Sequence, residues 1–115
     1  GHRARFARGG SVDHRISRMT ELRALVSSVP AGRVSSYGWL GRSLTNPVSG
    51  FLAGKWMAQV DDVPWWRIVG ATGELLVAKR DPDLAVQQRR ALEKEGVEFD
   101  ESGLVRREFF WFGEE

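Results

Sequence analysis

The stretch from residue 13 to residue 57 constrains the fold most, because it alternates helix signals with abrupt stops. Residues 13–28 carry apolar side chains at steps of three and four, which is the period of an amphipathic helix with one buried face. A Pro-Ala-Gly sequence at residues 30–32 ends this helix. The chain is therefore expected to turn sharply after a first, long helix.

Two shorter helices are predicted next. Ser35 or Ser36 is a good N-cap for the first of them. Asn46 as N-cap, with Pro47 at the first helical position, starts the second, which runs to about Met57. A long helix, a tight turn and two short helices in quick succession are typical of a helix-turn-helix.

The second half of the chain adds a small β-element and a fourth helix. The sequence RIVGATGELLVA, residues 67–78, places a glycine-centred turn between two β-prone runs, which predicts a hairpin, or wing, beside the helix-turn-helix. Asp81 or Asp83 then caps a helix that ends before Gly96, and the aromatic tail is expected to pack back onto the body. We therefore predict a mainly α, winged-helix-like single domain with a small β-hairpin wing.

Length and apolar content bound the organisation of the chain. The 115 residues fit one domain, which we place at residues 13–115 after a basic, mobile arm at residues 1–12, whose Gly1-His2 is typical of an expression tag. No apolar run is long enough to cross a bilayer, and the first residues lack the hydrophobic stretch of a signal peptide. We expect a cytoplasmic monomer, associated with the nucleoid if the protein is bacterial.

The residue types exclude most catalytic chemistry. There is no cysteine, so disulfides, thiolate metal sites and cysteine nucleophiles are impossible. The two histidines, His2 and His14, lie near the N-terminus and leave the rest of the chain without the usual general base or zinc ligand. No Ser-His-Asp set or carboxylate pair suggests another enzyme. We expect no catalytic residue, no metal ion and no cofactor.

The charged residues are distributed unevenly. Residues 1–60 carry nine Lys/Arg and two Asp/Glu, whereas residues 61–115 carry eight and thirteen, so the net charge of +2 conceals a basic half and an acidic half. Fourteen of the seventeen cations are arginine, which suits bidentate contacts with phosphates and base edges. Charge alone leaves two interpretations open, an anionic partner such as DNA and an ordinary solvated surface.

The ordered motifs are similar to those of a known family. The segments VPAGRVSSYGWLGRSLTNPVSGFLAGKWM, VPWWRIV and EKEGVEFDESG resemble the DNA-binding domain of the alkylguanine-DNA alkyltransferases and, within it, the alkyltransferase-like proteins. The resemblance covers residues 16–112. It implies a helix-turn-helix that docks in the minor groove of double-stranded DNA and rotates a modified guanine into a pocket.

The Pro-Trp-Trp-Arg motif departs from the transferases, which have a nucleophilic cysteine followed by histidine. The resemblance places Trp65 at the cysteine, as in the alkyltransferase-like proteins, and Trp66 at the histidine. An indole does not accept an alkyl group as a thiolate does, so Trp65 and Trp66 are expected to wall a pocket for the extruded base instead. The resemblance places the transferases' proton-relay glutamate at Arg89, and Arg67 is expected to brace the loop.

Other site residues are carried over one by one. Tyr37 matches the tyrosine that contacts the phosphate beside the flipped nucleotide, and Arg80 matches a basic residue that senses the damaged base. Phe51 stands where the family inserts an arginine into the base stack. An aromatic side chain also enters base steps, but Phe51 as a core residue is an equal alternative. The remaining predicted DNA contacts are Ser36, Arg42, Lys55 and Arg33.

Two functions follow from these residues. In the first, the protein recognises O-alkylated guanine without catalysis and flags it for another repair pathway, with other repair proteins as further partners. In the second, it is a divergent winged-helix module with a lapsed base-flipping pocket, which binds DNA without lesion preference or binds a protein. Phe51 and Trp66 favour the second function. A cavity between Tyr37 and Trp65 favours the first if it is open and the second if it is filled.

Overall fold

A computed structural model describes residues 17–113 of the chain. In this range the protein forms four α-helices, a two-stranded parallel sheet and three short 3-10 helices. The helices are α1 (described over residues 17–28), α2 (Tyr37–Ser43), α3 (Gly50–Met57) and α4 (Pro82–Lys94); the strands are β1 (Ser35–Ser36) and β2 (Ile68–Val69); the 3-10 helices are Trp65–Arg67, Leu76–Lys79 and Arg107–Phe109. The mainly α fold class is confirmed, whereas the predicted arm at residues 1–12 lies outside the described residues. Within them, no helix has the length and apolar character that a membrane span needs.

A first core cluster joins α1, α2 and α3. Leu22, Val26 and Val29, on α1 and directly after it, are completely buried at the steps predicted from the sequence. They pack with buried residues of α2, α3 and later segments, namely Trp39, Leu40, Ala53, Met57, Val60, Ile68 and Trp111. The cluster holds the three helices of the helix-turn-helix together.

α2 begins as predicted and packs tightly against the segment before α3. The Ser36 hydroxyl accepts a hydrogen bond from the backbone N–H of Trp39 at 3.0 Å and caps the helix. The Val48 N–H donates to the carbonyl oxygen of Gly41 at 3.0 Å, and a Cβ on Gly41 would overlap the carbonyl oxygen of Val48. Only a glycine at position 41 permits this approach.

The prediction for the start of α3 is wrong by about one turn. The helix begins at Gly50 and not at Pro47, and its N-cap is Ser49, whose hydroxyl accepts a hydrogen bond from the backbone N–H three residues later at 3.1 Å. The carboxylate of Glu21 on α1 accepts hydrogen bonds from the N–H and the hydroxyl of Thr45, both at 2.9 Å. These bonds hold the Asn-Pro segment in the connection that precedes the helix.

Residues 67–78, all described, do not form the predicted hairpin. β2 instead pairs in parallel with β1, with Ser35 opposite Ile68, and the chain then turns into a 3-10 helix. The carbonyl oxygen of Gly73 accepts a hydrogen bond from the N–H of Val105 at 3.0 Å. A distant segment therefore stabilises the turn. The second β-prone run does not pair with β2 and instead forms most of the 3-10 helix Leu76–Lys79.

α4 and the tail build a second core cluster. The Asp81 carboxylate accepts the hydrogen bond that caps α4, and the helix ends before Gly96, whose φ of +92° is the left-handed conformation that favours glycine. Leu92 packs with Val34, Val69, Val97, Val105 and Phe110. The tail packs back as expected, because Trp111 lies edge-on to Trp39 with ring centroids 5.6 Å apart.

Candidate nucleic-acid interface

The two adjacent tryptophans share one turn but face different surroundings. They open the 3-10 helix Trp65–Arg67, and their rings meet edge-on with centroids 6.1 Å apart and an interplanar angle of 81°. Trp65 packs against the core cluster of α1 to α3, whereas Trp66 packs against the cluster of α4 and the tail. The turn thus joins the two clusters with one indole on each side.

Trp66 and Arg67 are both bound to Glu95. The indole N–H donates to Glu95 Oε2 at 3.1 Å, and Arg67 donates twice to the same carboxylate, at 3.1 and 2.7 Å, and once to the carbonyl oxygen of Val29 at 3.0 Å. Burial acts to raise the pKa of Glu95, but hydrogen bonds from Arg67, Trp66 and a backbone N–H outweigh it and lower the pKa below 4.5, its ordinary value. Glu95 therefore remains ionised and holds the turn in place.

A small cavity opens on the other face of the turn, between Tyr37 and Trp65. Its volume is about 130 Å³, and its other walls are Gly54, Met57, Ala58, Val60, Asp61, Val77, Arg80 and Leu84. Burial raises the pKa of the Tyr37 phenol, and the positive charge of Arg80 partly opposes the shift. Tyr37 is thus a neutral hydrogen-bond donor at the cavity wall. Trp66 does not line the cavity and does not fill it.

The cavity adjoins a wider cleft of about 830 Å³. The two spaces share five lining residues, which are Tyr37, Gly54, Ala58, Val77 and Arg80. One side of the cleft is α3, where Gly50 and Gly54 carry no side chain, and the opposite side is the segment after β2. These two glycines let α3 pack closely on α2, because a Cβ on Gly50 would meet the backbone nitrogen of Gly38 at 3.0 Å and a Cβ on Gly54 would meet the Tyr37 ring at 3.6 Å.

The rim of the cleft carries an aromatic side chain and two cations. Phe51 is 76% exposed, so the alternative in which it belongs to the core is wrong. The Nζ of Lys55 lies 5.0 Å from the centre of the Phe51 ring. Arg80 follows the second 3-10 helix and lines both the cleft and the cavity. The opening therefore combines a flat apolar group with positive charge.

Comparisons with known proteins identify the family. Residues 18–97 match the family described as 6-O-methylguanine DNA methyltransferase, DNA binding domain. Alkyltransferase-like protein 1 of Schizosaccharomyces pombe is 33% identical over 89 residues, which are 74% of this chain and 81% of that protein. The chain belongs to the alkyltransferase-like family.

Further similar proteins and solved structures support membership of this family. A protein of Vibrio parahaemolyticus named DNA base-flipping protein is 28% identical over 97 residues, which are 81% of this chain and 94% of the relative. Among solved structures, S. pombe Atl1 in complex with damaged DNA containing O6-carboxymethylguanine has a TM-score of 0.67 and 30% identity, covering 83% of this chain and 94% of that one. A second S. pombe structure in complex with DNA has a TM-score of 0.66 and 27% identity, covering 81% and 93%.

Several of the residues predicted from the sequence to take part in DNA binding do not line the cleft. Ser36 is buried and its hydroxyl caps α2. Trp66 and Arg67 are bound to Glu95 outside the cavity, which for Arg67 is the bracing role that the sequence predicted. Arg33 donates to the carbonyl oxygen of the tail residue Phe110 at 3.0 Å. These four side chains hold the alkyltransferase-like fold together.

Arg42 does lie near the cleft. It is exposed on the last turn of α2, and its guanidinium reaches the space beside Gly38, a residue that lines the cleft. Lys55 and Arg80 line the cleft itself, and Arg42 lies beside it next to Gly38. Within residues 17–113, no group of three or more acidic or histidine side chains is arranged to hold a metal ion.

The residue that faces Trp66 is Glu95, and the placement of the relay position at Arg89 is wrong. Arg89 is exposed on α4, pairs with Glu93 at 3.1 Å and lies 4.3 Å from the centre of the Phe99 ring. The count along the sequence failed because the carboxylate that binds the tryptophan turn belongs to the C-cap residue of α4, six residues after Arg89. The sequence signal that could have identified Glu95 was the Glu-Gly-Val motif that it begins.

Gln88 was also missed as a residue that shapes the site. It is almost completely buried, and its side-chain amide donates to the carbonyl oxygens of Trp66 at 3.1 Å and Ile68 at 3.0 Å. Its position on the otherwise apolar face of α4 was the only sequence signal. Through these bonds α4 fixes the backbone between the cavity wall and β2.

Proposed function

We propose that the protein binds double-stranded DNA at the cleft and holds an O-alkylated guanine, rotated out of the helix, between Tyr37 and Trp65 without transferring the alkyl group. The observation that carries this proposal is the open cavity of about 130 Å³ between these two rings. Trp66, which was expected to form a second wall of this pocket, is bound to Glu95 instead and leaves the cavity open. Relatives that are named for base flipping, or solved with damaged DNA, support the same function.

The cavity walls suit recognition of a base. Tyr37 and Trp65 offer flat aromatic surfaces for stacking, and Arg80 brings positive charge to the same space. Outside the cavity, the cations Lys55, which lines the cleft, and Arg42, which is exposed at the end of α2, would contact phosphates of the DNA backbone. A damaged base would thus be held by stacking and by charge.

The same walls do not support alkyl transfer. The chain has no cysteine, and Trp65 occupies the place that the transferases give to their nucleophile. The bound lesion therefore stays chemically unchanged. A persistent complex of this kind would mark the damaged site for another repair pathway, through contacts with other repair proteins.

Binding to matched duplexes tests the proposal. We expect tighter binding, by fluorescence anisotropy, to a duplex with one O6-methylguanine than to the same duplex with guanine. Trp65→Ala should reduce this preference by the value of one stacking contact, about 1–3 kcal/mol, and leave binding to the undamaged duplex nearly unchanged. Intact mass spectrometry of the incubated protein should show no added alkyl group.

Trp66→Phe is the matched control. It changes the neighbouring indole, removes its hydrogen bond to Glu95 and should lower stability without changing the lesion preference. Equal affinity of the unmodified protein for both duplexes would refute lesion recognition and favour the second function, DNA binding without lesion preference, for which Phe51 in place of the family's arginine is the supporting observation. An alkyl adduct on the protein would refute the non-catalytic role.

A further inference from the structure

One end of the cavity has walls that the cleft does not share. Five residues line the cavity but not the cleft, namely Met57, Val60, Asp61, Trp65 and Leu84. The walls that both spaces share mark the side on which the cavity joins the cleft, so these five residues form its remote end. Four of them are apolar, and within residues 17–113 Asp61 is the one charged side chain at this end.

The Asp61 carboxylate is exposed and has no partner within residues 17–113. It takes part in no ion pair and accepts no hydrogen bond there, whereas the next residue, Asp62, pairs with Arg23 at 3.2 Å. The cation among the cavity walls, Arg80, also lines the cleft and thus lies on the side where DNA phosphates would approach. The charge at the remote end is therefore negative.

The glycosidic bond determines which part of a flipped guanine would reach the remote end. The sugar stays in the DNA backbone at the cleft, so the base edge opposite the glycosidic bond points farthest into the cavity. The O6 atom, and any alkyl group on it, belongs to that far edge. Because the cavity has a volume of only about 130 Å³, an adduct on O6 would lie close to the Asp61 carboxylate.

We propose that Asp61 selects lesions by the charge of the group on O6, favouring adducts that carry a hydrogen-bond donor or a positive charge and disfavouring adducts that carry a carboxylate. The proposal rests on the proposed function, because it assumes a flipped base in the cavity. An ionised carboxylate only accepts hydrogen bonds, so a hydroxyl or ammonium group on the adduct would donate to Asp61, and a second carboxylate would be repelled. The preferred substrate class is then guanine with a hydroxyalkyl or aminoalkyl group on O6.

Three adducts of similar length in one duplex sequence test the role of charge. O6-(2-hydroxyethyl)guanine is neutral, O6-(2-aminoethyl)guanine is positive and O6-carboxymethylguanine is negative. By fluorescence anisotropy, we expect the unmodified protein to bind the carboxymethyl duplex more weakly than the hydroxyethyl duplex. In Asp61→Asn, binding of the carboxymethyl duplex relative to the hydroxyethyl duplex should strengthen about fivefold, which is the effect in water of one unit charge about 4 Å away. Binding of the aminoethyl duplex, on the same relative scale, should weaken by about the same factor.

Asp62→Asn is the matched control. It removes the same charge from the adjacent residue, whose carboxylate pairs with Arg23 and does not line the cavity. Any general effect of a lost negative charge on DNA binding is common to all three duplexes and cancels in the affinity ratios. Asp62→Asn should therefore leave both ratios unchanged, and Asp61→Glu, which keeps the charge, should preserve the order of the three affinities.

Three results would overturn the proposal: ratios that do not change in Asp61→Asn, ratios that change equally in Asp62→Asn, and tighter binding of the carboxymethyl duplex than of the hydroxyethyl duplex by the unmodified protein. The proposed function has a separate readout, which is the preference for O6-methylguanine over guanine. If that preference is present and the ratios do not respond to Asp61→Asn, the selection by charge alone is wrong. If the preference is absent, the proposed function and the selection by charge fail together.

Discussion

At the scale of single residues, the carboxylate of Glu95 determines where the tryptophan turn lies. It accepts hydrogen bonds from Trp66 and Arg67 and, at 3.4 Å, from the backbone N–H of Gly32. Because Arg67 also binds the carbonyl oxygen of Val29, the cluster ties the ends of α1 and α4 to the turn. The cavity wall formed by the preceding tryptophan therefore depends on a residue that does not line the cavity.

The lowered pKa of Glu95 makes stability depend on pH. A carboxyl group whose pKa is lower in the folded state stabilises the fold above its unfolded value, near 4.5, and this contribution is lost as the pH falls through the folded pKa. We expect Glu95→Gln to lower the free energy of unfolding at pH 7 by about 2–3 kcal/mol, because Arg67 loses its charge partner in a site where both side chains are 16% exposed. Urea unfolding from neutral to acidic pH should show this difference shrinking below about pH 4.5.

Glu93→Gln is the control for this series. Glu93 lies on the same helix and pairs with Arg89, but its side chain is 51% exposed, so the pair contributes little, about 0–1 kcal/mol. A difference between Glu95→Gln and the unmodified protein that stays constant down to acidic pH would contradict the lowered pKa.

Single residues also show how far the sequence predicted the site. Tyr37 and Trp65 were expected to face each other, and a cavity lies between them. The direction of Trp66 was not predictable, because it depends on a carboxylate 29 residues later in the chain. For Phe51, helical spacing fitted a core position and a rim position equally, and only the packing of α3 on α2 decides between them.

At the scale of elements, local signals predicted helices well and non-local bonds caused the errors. The cap of α2 needs only Ser36 and a backbone N–H three residues away. The start of α3 depends on Glu21 of another helix, and the fate of the glycine turn depends on Val105. The residues next to an element do not reveal such distant partners. The Asn-Pro signal therefore predicted the wrong start for α3, and the two β-prone runs predicted a hairpin that does not form.

The close contact between α2 and the segment before α3 gives a matched pair of substitutions. Gly41→Ala places a methyl group against the backbone of Val48, which has no freedom to move aside, and should destabilise the protein by about 1–3 kcal/mol. Gly38→Ala, on the same helix, meets the flexible end of Arg42 at 3.2 Å and the Ser36 hydroxyl at an ordinary 3.8 Å, and should be neutral or stabilising by up to about 1 kcal/mol. Thermal unfolding of both variants tests this contact, and equal melting temperatures would contradict it.

At the scale of the whole molecule, the distribution of ion pairs explains how a chain with a net charge of only +2 presents a positive cleft. In the acidic half, several arginines are paired with carboxylates, as in Arg67–Glu95 and Arg89–Glu93. The cations around the cleft, Arg42, Lys55 and Arg80, form no ion pair within residues 17–113. Their charge is therefore left to attract an anionic ligand.

Salt dependence measures whether these cations contact phosphates. Each phosphate that a protein neutralises releases counterions and adds about 0.9 to the slope of log affinity against log salt for B-form DNA. We expect Lys55→Gln to reduce that slope by about one and to weaken binding to damaged and undamaged duplexes alike. Arg90→Gln removes the same charge from an exposed position on α4. Because Arg90 lines a different pocket and not the cleft, this substitution should leave the slope nearly unchanged. If both variants lower the slope equally, overall charge and not the cleft attracts the DNA, and if neither does, the phosphates lie elsewhere on the protein.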